Sequence, residues 1–515
     1  MEHRNVALTP PMGWNSWDAY GASVTEDEIR GNAEYMAAHM LSFGWEYIVC
    51  DIQWYEPGAI NSAYRPFVPL EMDAYSRLIP APNRFPSSAD GHGFRPLADY
   101  IHSLGLRFGI HMLRGIPRQA VHQNTPILGT TATAREIAHP FSVCSWNTDM
   151  YGVNPQAYGA QAYYNSLFDL YASWGVDYVK VDDICTTAYH PTDPYAGKGE
   201  IELIRHAIDQ CGRPMVLSLS PGPALREQAD HLCAHANMWR MTGDLWDEWH
   251  QLAEMFDRCR LWQGVSCPGC WPDCDMLPLG HIGIRSIEHG KGDRWTRLSR
   301  EEQRTMMTLF CIFRSPLMMG GELRDNDEWT LSLLTNSDVL RLLHHSDGAH
   351  ELSRGASSIL WASRDEDGSL YLAFFNTGTH EAHLECALSS LGLSSQSSVQ
   401  VRDLWEREDI GTMTGSVHCC VPCHGCRLFR LHLLSIKRIG SVYAVPILFF
   451  VLLYYLNPAF GRFQMPHLNA SQRIIQFLCD GPHLLHPTGK DVFLVMIDHL
   501  AYGGDHCRRA AQAAL

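Results

Sequence analysis

The sequence predicts an α/β protein, a (β/α)8 TIM barrel followed by a C-terminal antiparallel β-sandwich. Three observations carry that expectation. Between about residues 8 and 347, short apolar β-prone runs alternate with amphipathic segments of helical period, which is the sequence form of a parallel β/α architecture. After Ser346 the period changes from helical to alternating, as antiparallel strands require. At 515 residues the chain exceeds one ordinary core, and a barrel absorbs about 250 residues or more while leaving room for a second unit.

The predicted barrel strands are Met12–Trp17, Tyr47–Trp54, Arg107–Met112, Tyr178–Asp182, Met215–Ser220, Met238–Met241, Leu261–Val265 and Phe310–Leu317. Between the first two, Glu26–Met40 sets Ile29, Ala33, Met36, Ala37 and Met40 on one face and predicts a helix that Thr25 can cap. Its methionines read as core filler. Ala160–Trp174 and Ser299–Phe310 read as helices in the same way, and Ser299 with Glu302 three residues on fits a capping box. In the second unit Ser358–Ser363, Leu370–Asn376, Ala382–Cys386, Val399–Leu404 and Arg427–Leu431 read as strands, with a hairpin signal at Asp367-Gly368. The expected division is 1–347 for the catalytic barrel, 348–434 for the sandwich and 435–515 for a tail without assignment. Within that tail Val442–Leu456 is an unbroken apolar run of fifteen residues. It is shorter than the roughly 20 residues a membrane span needs, and it contains Pro446. A membrane anchor giving weak association, a buried hairpin and a wrongly assigned C-terminus all fit this segment.

A hydrophobic share of 46% against 19% charged residues gives a globular chain able to bury a large core and excludes general disorder. The net charge of −16 argues against a nucleic-acid partner. The start, Met1-Glu2-His3-Arg4-Asn5, is polar and lacks the apolar stretch of a signal peptide, so the expected location is cytoplasmic as written, and secreted or lysosomal-type if the N-terminus is incomplete. Seventeen cysteines, an odd number, cannot all pair within one chain.

Two segments carry the chemistry. Tyr178-Val179-Lys180-Val181-Asp182-Asp183 and Trp239-Arg240-Met241-Thr242-Gly243-Asp244 each put a carboxylate at the end of an apolar run, with a fixed cation nearby. Paired acids at strand ends can split a glycosidic bond, one attacking the sugar carbon and the other protonating the departing oxygen. The plainer reading of Asp182 or Asp183 is a helix cap. Lys180 tips it towards catalysis, because side chains two apart on a strand share a face and an ammonium there would hold Asp182 ionised. Asp244 sits where its run ends, whereas Asp247 and Glu248 read as structural. Trp14, Trp17, Trp54 and Trp239, beside Asp51, Arg240 and Asp275, suit a sugar with an apolar face and hydroxyl-bearing edges. Cys267, Cys270 and Cys274, and separately His418, Cys419, Cys420, Cys423, His424 and Cys426, have spacings that invite a zinc reading, but the second group lacks the paired loops of a structural zinc site.

The segments Pro10-Pro11-Met12-Gly13-Trp14-Asn15-Ser16-Trp17, Lys180-Val181-Asp182, Trp239-Arg240 with Asp244, Asp273-Cys274-Asp275-Met276-Leu277 and Arg314-Ser315-Pro316-Leu317-Met318 resemble the α-galactosidases (melibiases) of glycoside hydrolase family 27. With Asp403-Leu404-Trp405 and the Val421–Leu433 stretch, the resemblance covers roughly residues 8 to 433. It implies a retaining exo-glycosidase that removes terminal α-D-galactosyl residues from oligosaccharides or glycoconjugates without metal or cofactor, with Asp182 as nucleophile and Asp244 as general acid/base. It also implies that Trp14, Asp51, Trp54, His111, Cys144, Lys180, Ser220, Arg240 and Asp275 bind substrate or orient the nucleophile. Three departures bear on the glycone. The family's adjacent aspartates read Asp51-Ile52, which removes one hydroxyl ligand. The expected tyrosine is His111, and Ser220 leaves room for an acetamido group. The same machinery acting on α-N-acetylgalactosaminides or β-L-arabinopyranosides is therefore the first alternative, and a catalytically silent carbohydrate-binding protein is the alternative of another class. Cys185 is the implied partner of Cys144 in an oxidising compartment only.

Overall fold

The computed structural model describes residues 2–434 apart from 191 and 289. The tail from 435, with its apolar run, lies outside the described residues. Eight parallel strands form one curled sheet: β1 (Met12–Asn15), β2 (Tyr47–Cys50), β3 (Arg107–Leu113), β4 (Tyr178–Asp182), β5 (Val216–Leu219), β6 (Met238–Arg240), β7 (Trp271–Asp273) and β8 (Leu317–Met319). They run β7-β6-β5-β4-β3-β2-β1-β8. The first strand thus pairs with the last, with Met12 opposite Leu317 and Trp14 opposite Met319. A parallel bridge from Leu277 to Met319 joins the two edges, so the sheet closes on itself as a barrel.

Alternation along the short strands sorts side chains between lumen and helices. Tyr47, Val49, Tyr178, Val216, Met238, Trp271 and Met318 fill the lumen with Ala7, and the Trp271 indole N–H donates to the Ala7 carbonyl at 2.8 Å. The intervening residues, among them Ile48, Cys50, Val179, Val181 and Leu217, join the larger core under the helices. That shell contains α1 (Trp17–Tyr20), α2 (Glu26–His39), α3 (Arg95–Ser103), α4 (Ala160–Trp174), α5 (Lys198–Gln210), α6 (Ala229–His235), α7 (Trp249–Trp262) and α8 (Arg300–Phe313). Thr25 with Glu28 and Ser299 with Glu302 form the capping boxes of α2 and α8.

Two strand expectations are corrected. Leu261 and Trp262 end α7, and the seventh strand is Trp271–Asp273. Only three residues long and containing Pro272, it has no alternation to display. Phe310 belongs to α8, which runs on to Phe313; Arg314 then takes a left-handed φ of 66° and the strand begins at Leu317.

The C-terminal part places β9 (Ser346–Arg354), β10 (Ser358–Asp365), β11 (Leu370–Asn376), β12 (Ala382–Ala387), β13 (Ser398–Asp403), β14 (Glu408–Thr414), β15 (Ser416–Val421) and β16 (Cys426–Leu433) in two antiparallel layers. Six strands in the order β9-β10-β11-β16-β13-β14 face the pair β12-β15 over a core of Leu372, Phe374, Val399, Val401, Val417 and Phe429. The strands β9, β14 and β15 escape the sequence reading because charged, glycine and histidine residues break their apolar alternation. Helix α8 is the shared wall: Thr308 accepts from the Trp405 indole at 2.8 Å, Thr305 donates to the His424 carbonyl at 2.8 Å, and Arg304 pairs with Glu406 at 2.9 Å.

Candidate active site

The carboxyl ends of β2, β4, β6 and β7 converge on a cavity of about 350 Å³. It is lined by Asp51, Lys180, Asp182, Arg240, Asp244 and Asp275, together with Trp17, Asp18, Ile52, Tyr64, Trp146, Pro221, Leu245, Trp246, Met276 and Glu288. Strand geometry explains the first group. On β4, Tyr178, Lys180 and Asp182 share the lumen face, so the ammonium lies one step below the carboxylate.

Lys180 Nζ donates to Asp51 Oδ2 at 2.9 Å, an atom that also accepts from Asn15 Nδ2 at 2.7 Å, while Asp51 Oδ1 accepts the Ile52 N–H at 2.9 Å. Burial acts to raise the Asp51 carboxyl, but the Lys180 and His111 charges and these donors bring it below its ordinary value. Asp182 is fixed in the same way. Its Oδ2 faces His111 Nε2 at 3.2 Å and its Oδ1 accepts the Asp183 N–H at 2.8 Å. Burial works to raise this carboxyl too, and the His111 hydrogen bond with the Lys180 charge outweighs it, holding Asp182 well below the usual carboxylate range. His111 is wholly buried, and its Nδ1 has no partner among the described residues, so its one polar contact goes to Asp182.

Asp183, the alternative cap, takes a left-handed φ of 54° and turns away to pair with Arg114 at 2.8 Å. Burial pushes its carboxyl up to about 7 against the Arg114 charge.

On the other wall Arg240 grips two acids at once, Asp244 Oδ1 at 3.0 Å and Asp275 Oδ1 at 2.7 Å. Asp275 also accepts the Leu245 N–H at 2.7 Å. Burial pushes its carboxyl up to about 7, with Asp244 and Asp273 adding to the effect and Arg240 opposing it. The side chain of Asp244 is 69% exposed, that of Asp182 only 15%. Asp247 is buried and held by Arg294 and Arg297, in keeping with a structural part.

Several sequence expectations fall elsewhere. Trp14, Trp54 and Trp239 are fully buried and do not line this cavity. Trp14 and Trp239 occupy strand positions whose neighbours Asn15 and Arg240 face the site, so the pleat turns the indoles towards the helices. The Trp14 and Trp54 indoles donate to the carbonyls of Gly321 and His111. Of the four tryptophans expected at the sugar, Trp17 lines the cavity, joined there by Tyr64, Trp146 and Trp246; Trp17, Tyr64 and Trp146 are consecutive rings with centroids 6.0 and 5.6 Å apart. Tyr64 and Trp146 belong to loops after β2 and β3, where no period marks them. Ser220 is buried and its carbonyl accepts the Ile184 and Cys185 N–H groups; the next residue, Pro221, forms the wall. Ser220 itself does not line the cavity. Cys144 and Cys185 are free, buried thiols outside the lining. Cys274 lies 3.7 Å from Cys259, away from the Cys267–Cys270 turn, and His424 stacks on Trp249, so neither cysteine spacing gathers as a zinc site.

Asp18 is a residue the sequence reading missed. It sits on α1 at the cavity floor, buried, and its Oδ2 has no partner among the described residues. Burial and the neighbouring Asp275 raise its carboxyl well above the ordinary value, against Lys180. Gly320 makes room for it, since a Cβ there would come within 2.0 Å of that oxygen.

Comparison with known proteins agrees with this geometry. A model described as "Alpha galactosidase A" matches residues 147–344, and one described as "Alpha galactosidase C-terminal beta sandwich domain" matches residues 355–431. Among solved structures, a family 27 β-L-arabinopyranosidase from Geobacillus stearothermophilus, crystallised with arabinose, is 58% identical, superposes with a TM-score of 0.82, and is covered over 100% of its length by 84% of this chain. The chain is also 25% identical to the α-galactosidase of Cyamopsis tetragonoloba (84% of this chain, 88% of that protein) and 26% identical to α-galactosidase A of Cellvibrio japonicus (83% and 92%).

Proposed function

The chain belongs to glycoside hydrolase family 27, and from that premise we propose that it releases a terminal β-L-arabinopyranosyl residue, with Asp182 as nucleophile and Asp244 as general acid/base. The ionised Asp182 attacks the anomeric carbon while the Asp244 carboxyl gives its proton to the departing oxygen. A covalent glycosyl-enzyme results. Asp244 then takes a proton from water as the water oxygen attacks the anomeric carbon and displaces Asp182, giving net retention. The buried ionic setting of Asp182 and the open position of Asp244 support these roles. Asp51, Lys180, Arg240 and Asp275 offer acceptors and donors matched to ring hydroxyls. The cavity lies at the lower end of the ordinary ligand range of about 300 to 1,000 Å³, which suits one terminal sugar.

Ile52 carries the choice of glycone. β-L-Arabinopyranose and α-D-galactose share ring stereochemistry and the geometry of the bond to be broken, and differ by one hydroxymethyl group. The isoleucine side chain in the cavity lining cannot pair with a hydroxyl, and a hydroxyl buried without a partner costs about 1 to 3 kcal/mol. The smaller glycone avoids that cost. The α-galactosidase relatives favour α-D-galactosides as the second reading.

Hydrolysis of the nitrophenyl β-L-arabinopyranoside, α-D-galactoside and α-N-acetylgalactosaminide, with Asp182→Asn as control, tests this. The expected kcat/KM favours the arabinopyranoside over the galactoside by about 10- to 200-fold, the range for one small group in a fitted pocket. A ratio at or below one would overturn the choice of glycone, and activity surviving in the control would overturn the nucleophile.

A further inference from the structure

On the outside of the barrel, away from the sugar cavity, α5 and α6 bring Glu202, His231 and His235 together, with one potential ligand atom from each lying within 4.8 Å of the others. It is the one such group among the described residues. The histidines are four apart on α6 and so share a helix face, with ring centroids 4.1 Å apart.

Their outer partners are already in place. His235 Nδ1 lies 2.8 Å from the His231 carbonyl, an acceptor only, so Nδ1 carries the proton and Nε2 keeps a lone pair. His231 Nδ1 faces the Tyr195 hydroxyl at 2.8 Å, and its Nε2 faces Glu202 Oε1 at 3.2 Å. Metal-binding histidines commonly have the non-ligating ring nitrogen held by a carbonyl, carboxylate or water, and here a backbone carbonyl and a tyrosine hydroxyl occupy those places.

We propose that Glu202, His231 and His235 form a binding site for a borderline divalent transition metal such as Zn2+, with water as the fourth ligand. The cation takes the position of the proton shared by His231 Nε2 and Glu202. The ring changes tautomer, the proton passing by way of solvent from Nε2 to Nδ1, so that Nδ1 then donates to the Tyr195 hydroxyl and no proton is lost overall. Two imidazoles select Zn2+, Ni2+ or Cu2+ over Mg2+ and Ca2+. Ligands about 2.0 to 2.2 Å from one tetrahedral ion stand roughly 3.3 Å from each other. The Glu202 side chain, half exposed where that of His231 is mostly buried, has the freedom to close the remaining distance. The ion would clamp α5 to α6 and to the loop bearing Tyr195, with no part in sugar chemistry.

The test is calorimetric titration of the untagged full chain, freed of metal by a chelator, with ZnCl2. Because the sequence holds 27 histidines, the informative quantity is the difference between wild type and variants. His235→Gln and, independently, Glu202→Gln should weaken one saturable Zn2+ site by about 10-fold or more, and Tyr195→Phe by roughly 10-fold, while glycoside hydrolysis is unchanged as a check on folding. Equal Zn2+ affinity in wild type and in both ligand variants overturns the proposal. So does a site that takes Ca2+ as tightly as Zn2+.

Discussion

The two acids of the cavity are held in opposite ways. Asp182 is tied on both oxygens, by a buried histidine and a backbone amide, with an ammonium beneath it. Asp244 stands at the mouth, mostly exposed, with one guanidinium that it shares with Asp275. A group that forms a bond to carbon must be ionised and aimed before substrate arrives. A group that exchanges protons with a leaving group and then with water must be reachable from outside. The difference in anchoring thus follows the division of labour proposed for the two carboxyls.

Substitutions can break that contrast, and the largest effect should come from the tied side. Asp182→Asn keeps the shape and removes the attacking charge; kcat should fall by roughly 10⁴-fold or more on every glycoside, with little change in thermal stability. On the open side, Asp244→Asn should slow glycosides with poor leaving groups by about 10² to 10⁴-fold and activated aryl glycosides far less. Equal loss on both would remove Asp244 from the acid role. Ile52→Asp, which restores the second acid of the galactosidases, should move the kcat/KM ratio towards the galactoside by about 10-fold or more, and an unmoved ratio would mean that Ile52 does not read the glycone. The smallest effect sharpens the contrast itself. His111→Phe removes a donor from a carboxylate held below its ordinary value, so the Asp182 pKa must rise, and the acid limb of kcat/KM should move to higher pH by on the order of one unit. An unchanged acid limb would show that His111 only fills space.

The contrast also explains what could be read from the sequence. Asp182, Asp244, Lys180, Arg240 and Asp51 were legible because they lie on or just after strands, where the pleat fixes direction. The same pleat argument, applied to Trp14 and Trp239, would have turned them away from the sugar. For a residue near a strand end, the face it occupies, not its nearness to the end, decides whether it meets the sugar. Tyr64, Trp146 and Glu288 belong to loops whose path no local pattern encodes, and Asp18 follows Trp17 on a single helical turn. In the fold, α2, α4 and β4 were legible because each holds its own period, whereas β7 depends on the parallel neighbour β6 for its existence as a strand.

The pairing of β1 with β8 has a consequence for how the chain comes into being. Met12 finds its neighbour Leu317 only when nearly the whole barrel has been synthesised. Until then the nascent sheet carries two open edges, at β1 and at β7, and each is a template for misplaced strand pairing. Helix α8 directly precedes the closing strand and also receives the sandwich, so it leaves the ribosome just before the residue run that seals the barrel. A ribosome stalled short of Leu317 would therefore hold an open, adhesive sheet, and only when Met319 has emerged from the exit tunnel can the barrel close and offer a finished landing surface for the strands still to come.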